Sequence, residues 1–209
     1  MTKELIEKKV TIDKMVAFGI KQVDALKYID FLAEMFYEFG IDTESRISHF
    51  MGQSAVESKF WSDLLEDEGY SAEQLLKTFP KRVGTIENAR ELVKDRVKMF
   101  DFLYGGRYGN APNEGYKYRA RGIIGTTFKD NYNYFKVMTG IDVVSNPDLL
   151  LEPKNALLSG CLFWKRNKIN LLCDRPKSYE LVTAKVNGGA NEFDKRKLLT
   201  IKAQKIFFS

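Results

Sequence analysis

The sequence predicts a mainly α-helical fold, and three observations carry that prediction. Apolar residues recur at three- and four-residue intervals along most of the chain, the spacing that lines one face of a helix. Residues that start and stop helices, among them Thr43, Ser71, Gly40 and Pro80, fall at the borders of those segments. The composition supports a packed core: of 209 residues 44% are hydrophobic and 13% aromatic, while 29% are charged and keep the surface solvated.

Taken in order, residues 3–39 read as two helices, with Ile20, Val23, Leu26 and Ile29 followed by Phe31, Leu32, Met35, Phe36 and Phe39 at helical spacing. Gly40 is placed to end the second. Thr43 is an N-cap for the next helix, and Arg46 holds the slot where a capping box carries Glu. On that helix Ile47, Phe50, Met51, Ser54, Ala55 and Ser58 share a face, and small residues at 52, 54 and 55 leave room for another helix to come close. After Phe60 and Trp61 comes an acidic stretch, SDLLEDEGYS, and then Ser71 caps a helix that Pro80 stops. Residues 85–103 read as one further helix.

From Tyr104 to Tyr118 the chain is a long loop rich in Gly, Asn and Tyr. A loop of this length in a compact domain is usually functional or disordered, and its Arg and Tyr content argues against disorder. RARGIIGTTF reads as a short strand or extended turn before a helix over Lys129–Thr139. Helices over 153–167, 177–186 and 191–207 complete the pattern, the middle one ending near Asn187-Gly188-Gly189. No repeat, low-complexity tract or linker divides the chain, so residues 1–209 are expected to form a single domain, with 1–40 as a helical buttress and 41–209 as its core.

Several function classes drop out. Lys plus Arg number 33 and Asp plus Glu 28, a net charge of +5 that favours polyanionic surfaces without marking a nucleic-acid binder. The longest uncharged runs, 47–56 and 155–164, are 10 residues each, and a spanning helix needs about 20 apolar residues, so no membrane insertion is expected. The opening MTKELIEKKVTIDK has no apolar core of a signal peptide. Two cysteines, Cys161 and Cys173, make no disulfide framework and fit a reducing compartment. The one histidine, His49, cannot build a metal site that needs two or three imidazoles. Both cysteines sit in apolar stretches that suit buried, inert thiols, and there is no GxSxG nucleophile motif. Carboxylate is what remains for catalysis.

Glu57 lies late in the small-residue helix beside Val56, Phe60 and Trp61. Partial desolvation there raises a carboxyl pKa and suits a general acid. Nine residues later comes Glu66, with Asp63, Asp67 and Glu68 around it. One carboxyl in an apolar pocket and one in a wetter loop are the minimum for breaking a glycosidic bond. The same spacing also describes a helix-end glutamate followed by a solvated acidic turn. The 104–122 segment offers Arg107, Lys117, Arg119 and Arg121 interleaved with Tyr104, Tyr108, Tyr116 and Tyr118. That mixture suits sugar stacking and hydrogen bonding to anionic or amide groups, and equally single-stranded nucleic acid or a loop packed on its own tyrosines.

In order along the chain, AVESKFW, GYSAEQLLKTFPKRV, YGGRYGN, GYKYRARGIIGTT and NGGANEFDKRK resemble the blocks of glycoside hydrolase family 19, closer to its phage and bacterial endolysin branch than to plant chitinases. The resemblance spans roughly residues 40–207. It implies a mainly α-helical, lysozyme-like fold of two lobes with a substrate cleft, and hydrolysis of β-1,4-linked N-acetylated aminosugars without cofactor or metal, usually with inversion. It implies Glu57 as general acid, Glu66 as second carboxylate, and Thr127 as a hydroxyl that helps hold the nucleophilic water. Tyr70, Ser71, Tyr104, Arg107, Arg121 and Asn187 fall on the family's substrate-side blocks, and Arg119 lies in the same basic, tyrosine-rich segment as Arg121.

The chain departs from the family where a histidine precedes the acid (here Val56), where a Gln-Leu pair precedes the threonine (here Gly125 and Thr126), and where an Asn precedes Tyr70 (here Gly69). The expected partner is bacterial peptidoglycan, met by a monomer at the cell wall without a signal peptide, and not nucleic acid. The six Lys and Arg against two acids in 185–205 fit an anionic wall or a solvated helix face. The rivals are a chitinase and a non-catalytic wall-binding protein.

Overall fold

A computed structural model of the protein describes residues 1–66 and 69–209. Asp67 and Glu68 of the acidic stretch lie outside the described residues. Among the described residues there are thirteen α-helices, one short 3-10 helix and no strand beyond isolated bridges. The helices are α1 (Lys3–Lys9), α2 (Ile12–Phe18), α3 (Gln22–Glu38), α4 (Glu44–Glu57), α5 (Ala72–Thr78), α6 (Pro80–Val83), α7 (Ile86–Leu92), α8 (Arg96–Tyr104), α9 (Lys129–Thr139), α10 (Pro153–Arg166), α11 (Ile169–Cys173), α12 (Ser178–Asn187) and α13 (Phe193–Phe208). The 3-10 helix is Pro147–Leu151. None of the described helices is long and apolar enough to cross a membrane.

The mainly helical expectation holds, with two helices more finely divided than the periodicity implied. Residues 3–39 form three helices because Thr11 interrupts them: its hydroxyl accepts from the Lys14 N–H at 3.4 Å and starts α2 afresh. Residues 85–103 form two because Asp95 caps α8, its carboxylate accepting from the Lys98 N–H at 3.1 Å. The caps at Thr43 and Ser71 are as expected, and Ser71 forms a reciprocal box with Gln74.

Backbone contacts divide the chain into two compact units. The first holds residues 1–64, 122–125 and 150–209; the second holds 65–121 and 126–149.

The first unit is built on α4. Its residues 47–55 are all buried, so the helix is enclosed on every side until its last turn. Phe36 of α3 and Trp164 of α10 each meet Phe50 edge-on, with ring centres 5.1 Å apart in both pairs. Helix α13 comes closest. A Cβ added to Gly52 would lie 2.4 Å from the Thr200 hydroxyl and 2.7 Å from its backbone nitrogen, so only glycine admits α13 at this depth. The close approach expected from the small residues is thus with α13.

The chain then leaves α4 through three consecutive residues in the left-handed region, Lys59, Phe60 and Trp61, at φ 46, 58 and 67°. Such conformations cost on the order of 1–3 kcal/mol each for a side-chain-bearing residue. What holds them is burial of Trp61: its indole N–H donates to the Ser54 hydroxyl at 2.9 Å and its ring packs on Tyr28 at 5.0 Å.

The second unit is smaller. Leu75, Val83, Ala89, Met99, Phe100, Leu103 and Tyr104 form its core, with Tyr70, Phe79, Tyr116 and Phe128 packed around them. The 104–118 loop is fastened to this core. Asn110, buried, donates to the Tyr104 carbonyl at 3.0 Å and accepts from the Lys129 N–H at 2.8 Å, which joins the loop to the start of α9. The Tyr116 N–H donates to Asp101 at 2.9 Å. The segment after it makes an extended turn: Arg121 bridges to Leu65 on one side and Thr126 on the other.

Gly52→Val forces α4 away from α13, and the expected loss is about 3 kcal/mol, which for a chain of this size lowers the melting temperature by roughly 6–12 °C. A thermal melt checks it; an unchanged Tm would mean that α13 yields freely and the close approach carries no stability.

Candidate active site

In the first unit, Glu57 is the last helical residue of α4. It lies at an exposed position with its carboxylate turned onto Arg196, whose Nη2 is 2.6 Å away. The glutamate side chain keeps 24% of its accessible surface and the arginine only 4%. Arg196 also donates from Nη1 to the Gln53 side-chain carbonyl at 2.7 Å and from Nε to the Asn191 carbonyl at 3.1 Å. Gln53 in turn donates to Thr183 of α12 at 3.1 Å. Burial raises the Glu57 carboxyl above its ordinary range, the Arg196 charge and hydrogen bond pull it back, and the Glu192 charge adds to the rise; the balance is upward. In sequence this glutamate has the apolar residues Val56, Phe60 and Trp61 to mark its setting. The structure adds a guanidinium, which stabilises the charged form left behind when the carboxyl gives up its proton.

Asn187 ends α12, and its side-chain amide donates to the Asn191 carbonyl at 3.0 Å, the same oxygen that Arg196 reaches. Asn187 therefore shapes the 187–192 turn on which Arg196 rests. Arg196 was not singled out from the sequence. It sits in Lys195-Arg196-Lys197, which reads as a solvated basic run, and only its 3% exposure sets it apart from its neighbours.

In the second unit, Glu66 is held on both oxygens. The Tyr104 hydroxyl donates to Oε1 at 2.7 Å, and the Ala120 N–H donates to Oε2 at 3.1 Å. The Glu66 N–H also donates to the Ala120 carbonyl at 3.0 Å, so the residue is tied to 119–121 through backbone and side chain together. Burial raises the carboxyl pKa; the Tyr104 and Ala120 hydrogen bonds and the Arg119 charge partly offset it. Tyr104, buried against a carboxylate, has its own pKa pushed far up and stays a donor. Each carboxylate oxygen retains a lone pair for a further donor such as water.

The remaining expected residues of this unit fall into two groups. Arg121 is committed within the protein: Nε lies 2.9 Å from Asp148, and Nη1 donates to the Lys117 carbonyl at 2.8 Å and to the Tyr132 hydroxyl at 3.0 Å. It fixes the turn that carries Ala120. Arg119, likewise buried, lies over the Tyr116 ring at 3.9 Å and donates to the Tyr116 carbonyl at 2.8 Å. Ser71 is exposed and its hydroxyl caps α5. Tyr70 is half-buried against Phe79, ring centres 6.2 Å apart. Arg107 is half-buried over the rings of Tyr108 and Phe128, at 5.5 and 5.3 Å. Thr127 is half-buried just beyond the Arg121–Thr126 bridge.

The two thiols and the one imidazole lie away from solvent. Both thiols are buried, and burial pushes Cys161 and Cys173 well above the range of a reactive cysteine. His49 is buried with Nε2 3.0 Å from the Ser178 hydroxyl, and desolvation lowers its pKa to about 4.

No family model matches the chain. A Haemophilus influenzae protein described as glycosyl hydrolase family 19 domain-containing is 28% identical to it over 196 residues, which cover 90% of this chain and 90% of that protein. The chain is a distant relative of that domain along nearly its whole length, and this points to a glycoside hydrolase.

The setting of Glu66 predicts a pH signature. Its folded-state pKa is raised above the ordinary 4.5, so the folded protein keeps this proton after the unfolded chain has lost it. The stabilising contribution is complete below that ordinary value and is lost as the pH rises through the raised one. Wild type should therefore lose stability relative to Glu66→Gln as denaturant melts are taken upward from about pH 4. Tyr104→Phe removes a donor that lowers the pKa, and carboxyl NMR should then show Glu66 titrating at still higher pH. A Glu66 titration unmoved by Tyr104→Phe would break the link between the two residues.

Proposed function

We propose that the protein is an endolysin-type glycosidase that hydrolyses β-1,4 glycosidic bonds of bacterial peptidoglycan by a two-carboxylate, inverting route, within a two-lobed, lysozyme-like arrangement around a substrate cleft. The observation that carries the reading is the contrast between two part-buried carboxyls with raised pKa. Glu57 rests on a guanidinium, and Glu66 rests on neutral donors.

Each setting suits one role. Glu57 is open enough to take a proton from solvent, and burial helps it to keep that proton. When it protonates the bridging oxygen, Arg196 is in place to stabilise the resulting carboxylate. Glu66, ionised, has its two oxygens oriented by Tyr104 and Ala120 and can accept a hydrogen bond from the attacking water, with the Thr127 hydroxyl as a second contact to that water. Inversion requires the two carboxyl groups to lie about 6.5–9.5 Å apart around the bound sugar, with water between. No cofactor or metal takes part. Tyr70, Arg107 and Asn187 belong to the sugar-binding surface in this reading, and the net charge of +5 suits an anionic wall.

The test is turbidity loss of bacterial cells stripped of their outer membrane, with mass spectrometry of the released fragments and purified chitin in parallel. Wild type should lyse cells and leave new reducing sugar ends. Glu57→Gln and Glu66→Gln should each lower the rate on the order of a hundredfold or more. Cleavage of chitin with sacculi untouched would make the protein a chitinase. Tight sacculus binding with no new reducing ends in any variant would leave a non-catalytic wall-binding protein, the reading that the Val56 and Gly125 departures favour.

A further inference from the structure

The second unit contains a cavity of about 530 Å³ lined by Thr78, Phe79, Pro80, Lys81, Arg82 and Arg107. Among these described lining residues three are cations and none is an acid. Two of the cations are fixed in place. Arg82 donates from Nε to the Phe102 carbonyl at 2.7 Å and lies over the Phe102 ring at 5.4 Å. Arg107 donates from Nη1 to the next carbonyl, that of Leu103, at 3.1 Å. Adjacent carbonyls in the last turn of α8 thus anchor two guanidinium groups by one nitrogen each, and among the described residues their other nitrogens have no hydrogen-bond partner. Among the described residues Lys81, Arg82 and Arg107 make no ion pair.

Unpaired arginines pre-positioned by backbone carbonyls and aromatic faces form a receptor for a carboxylate or phosphate, since the cost of ordering the side chains is already met. Phe79 and Pro80 give the cavity an apolar wall that suits an anion carried on a bulky organic body. The cavity also adjoins the Glu66 clamp. Phe79 packs on Tyr104 with ring centres 6.2 Å apart, and Tyr104 holds Glu66.

We infer that this cavity is a carboxylate-binding subsite for the acidic substituents of the glycan, the lactyl-linked peptide stems that peptidoglycan carries and chitin lacks. The inference rests on the glycosidase reading for the identity of the glycan, but its test measures binding and needs no turnover.

The full chain carrying Glu57→Gln is pelleted with purified sacculi in three forms: intact, stripped of phosphodiester polymers with hydrogen fluoride, and stripped with the carboxyl groups converted to neutral amides. Amidation should weaken binding about tenfold, and stripping of phosphodiesters should leave it unchanged. Adding K81Q with R82Q should remove that tenfold on stripped sacculi and leave affinity for amidated sacculi as in the parent, which also shows that the variant is folded. K8Q with K21Q, the same charge change at exposed positions of the first unit, should match the parent throughout.

The subsite is overturned if amidation changes nothing, if K81Q with R82Q still discriminates, if K8Q with K21Q loses as much, or if stripping alone abolishes binding, which would make phosphodiesters the ligand. Failure of the glycosidase reading shows separately, as absence of new reducing ends from the wild-type chain.

Discussion

A guanidinium removed from water must find an acceptor for its donors or the fold loses several kcal/mol. In the first unit that demand organises the neighbourhood of Glu57. Arg196 is satisfied by α4 through Gln53 and Glu57 and by the turn after α12 through Asn191. Helix α13 can deliver the arginine only because Gly52 lets it sink against α4. A packing constraint, the absent side chain at 52, thereby fixes an electrostatic one, the partner of the carboxylate at 57. The two lie five residues apart on one helix, so geometry set at the first is transmitted rigidly to the second.

The second unit solves a similar problem with neutral groups. Glu66 follows no helix; it is an extended residue aligned by the bridge between Leu65 and Arg121. Arg121 is buried behind that bridge and bonded to Asp148, Tyr132 and the Lys117 carbonyl. Its role is to hold the turn from which the Ala120 N–H points at the carboxylate. The basic, tyrosine-rich segment therefore divides by depth. Arg119 and Arg121 build the turn, and Arg107 stays within reach of solvent.

Much of this was legible in the sequence, and the physical reason is locality. Thr43, Ser71 and the run of apolar residues on α4 act within one or two helical turns, and the chain obeys them. The burial of Cys161 and Cys173 was legible in their apolar contexts. What escaped was non-local. Arg196 looks like any member of a lysine-rich run until α4 closes over it. Tyr104 reads as a sugar-side aromatic until its hydroxyl is found on a carboxylate 38 residues earlier. Arg121 reads as a surface cation until Tyr132 and Asp148 enclose it. The breaks at Thr11 and Asp95 are local caps of the same kind as Thr43 and Ser71, masked by the apolar spacing on either side.

The left-handed turn at Lys59–Trp61 bears on motion. Helix ends ordinarily fray, and a residue in the last turn samples many side-chain positions. Here the chain beyond Glu57 is folded back, with the Phe60 N–H on the Ala55 carbonyl at 2.9 Å and the Trp61 indole locked on Ser54. Unwinding the last turn of α4 would require Trp61 to leave the core. The carboxylate at the tip of the helix thus inherits the stillness of the helix interior, and its contact with Arg196 belongs to a single arrangement instead of an average over frayed ones.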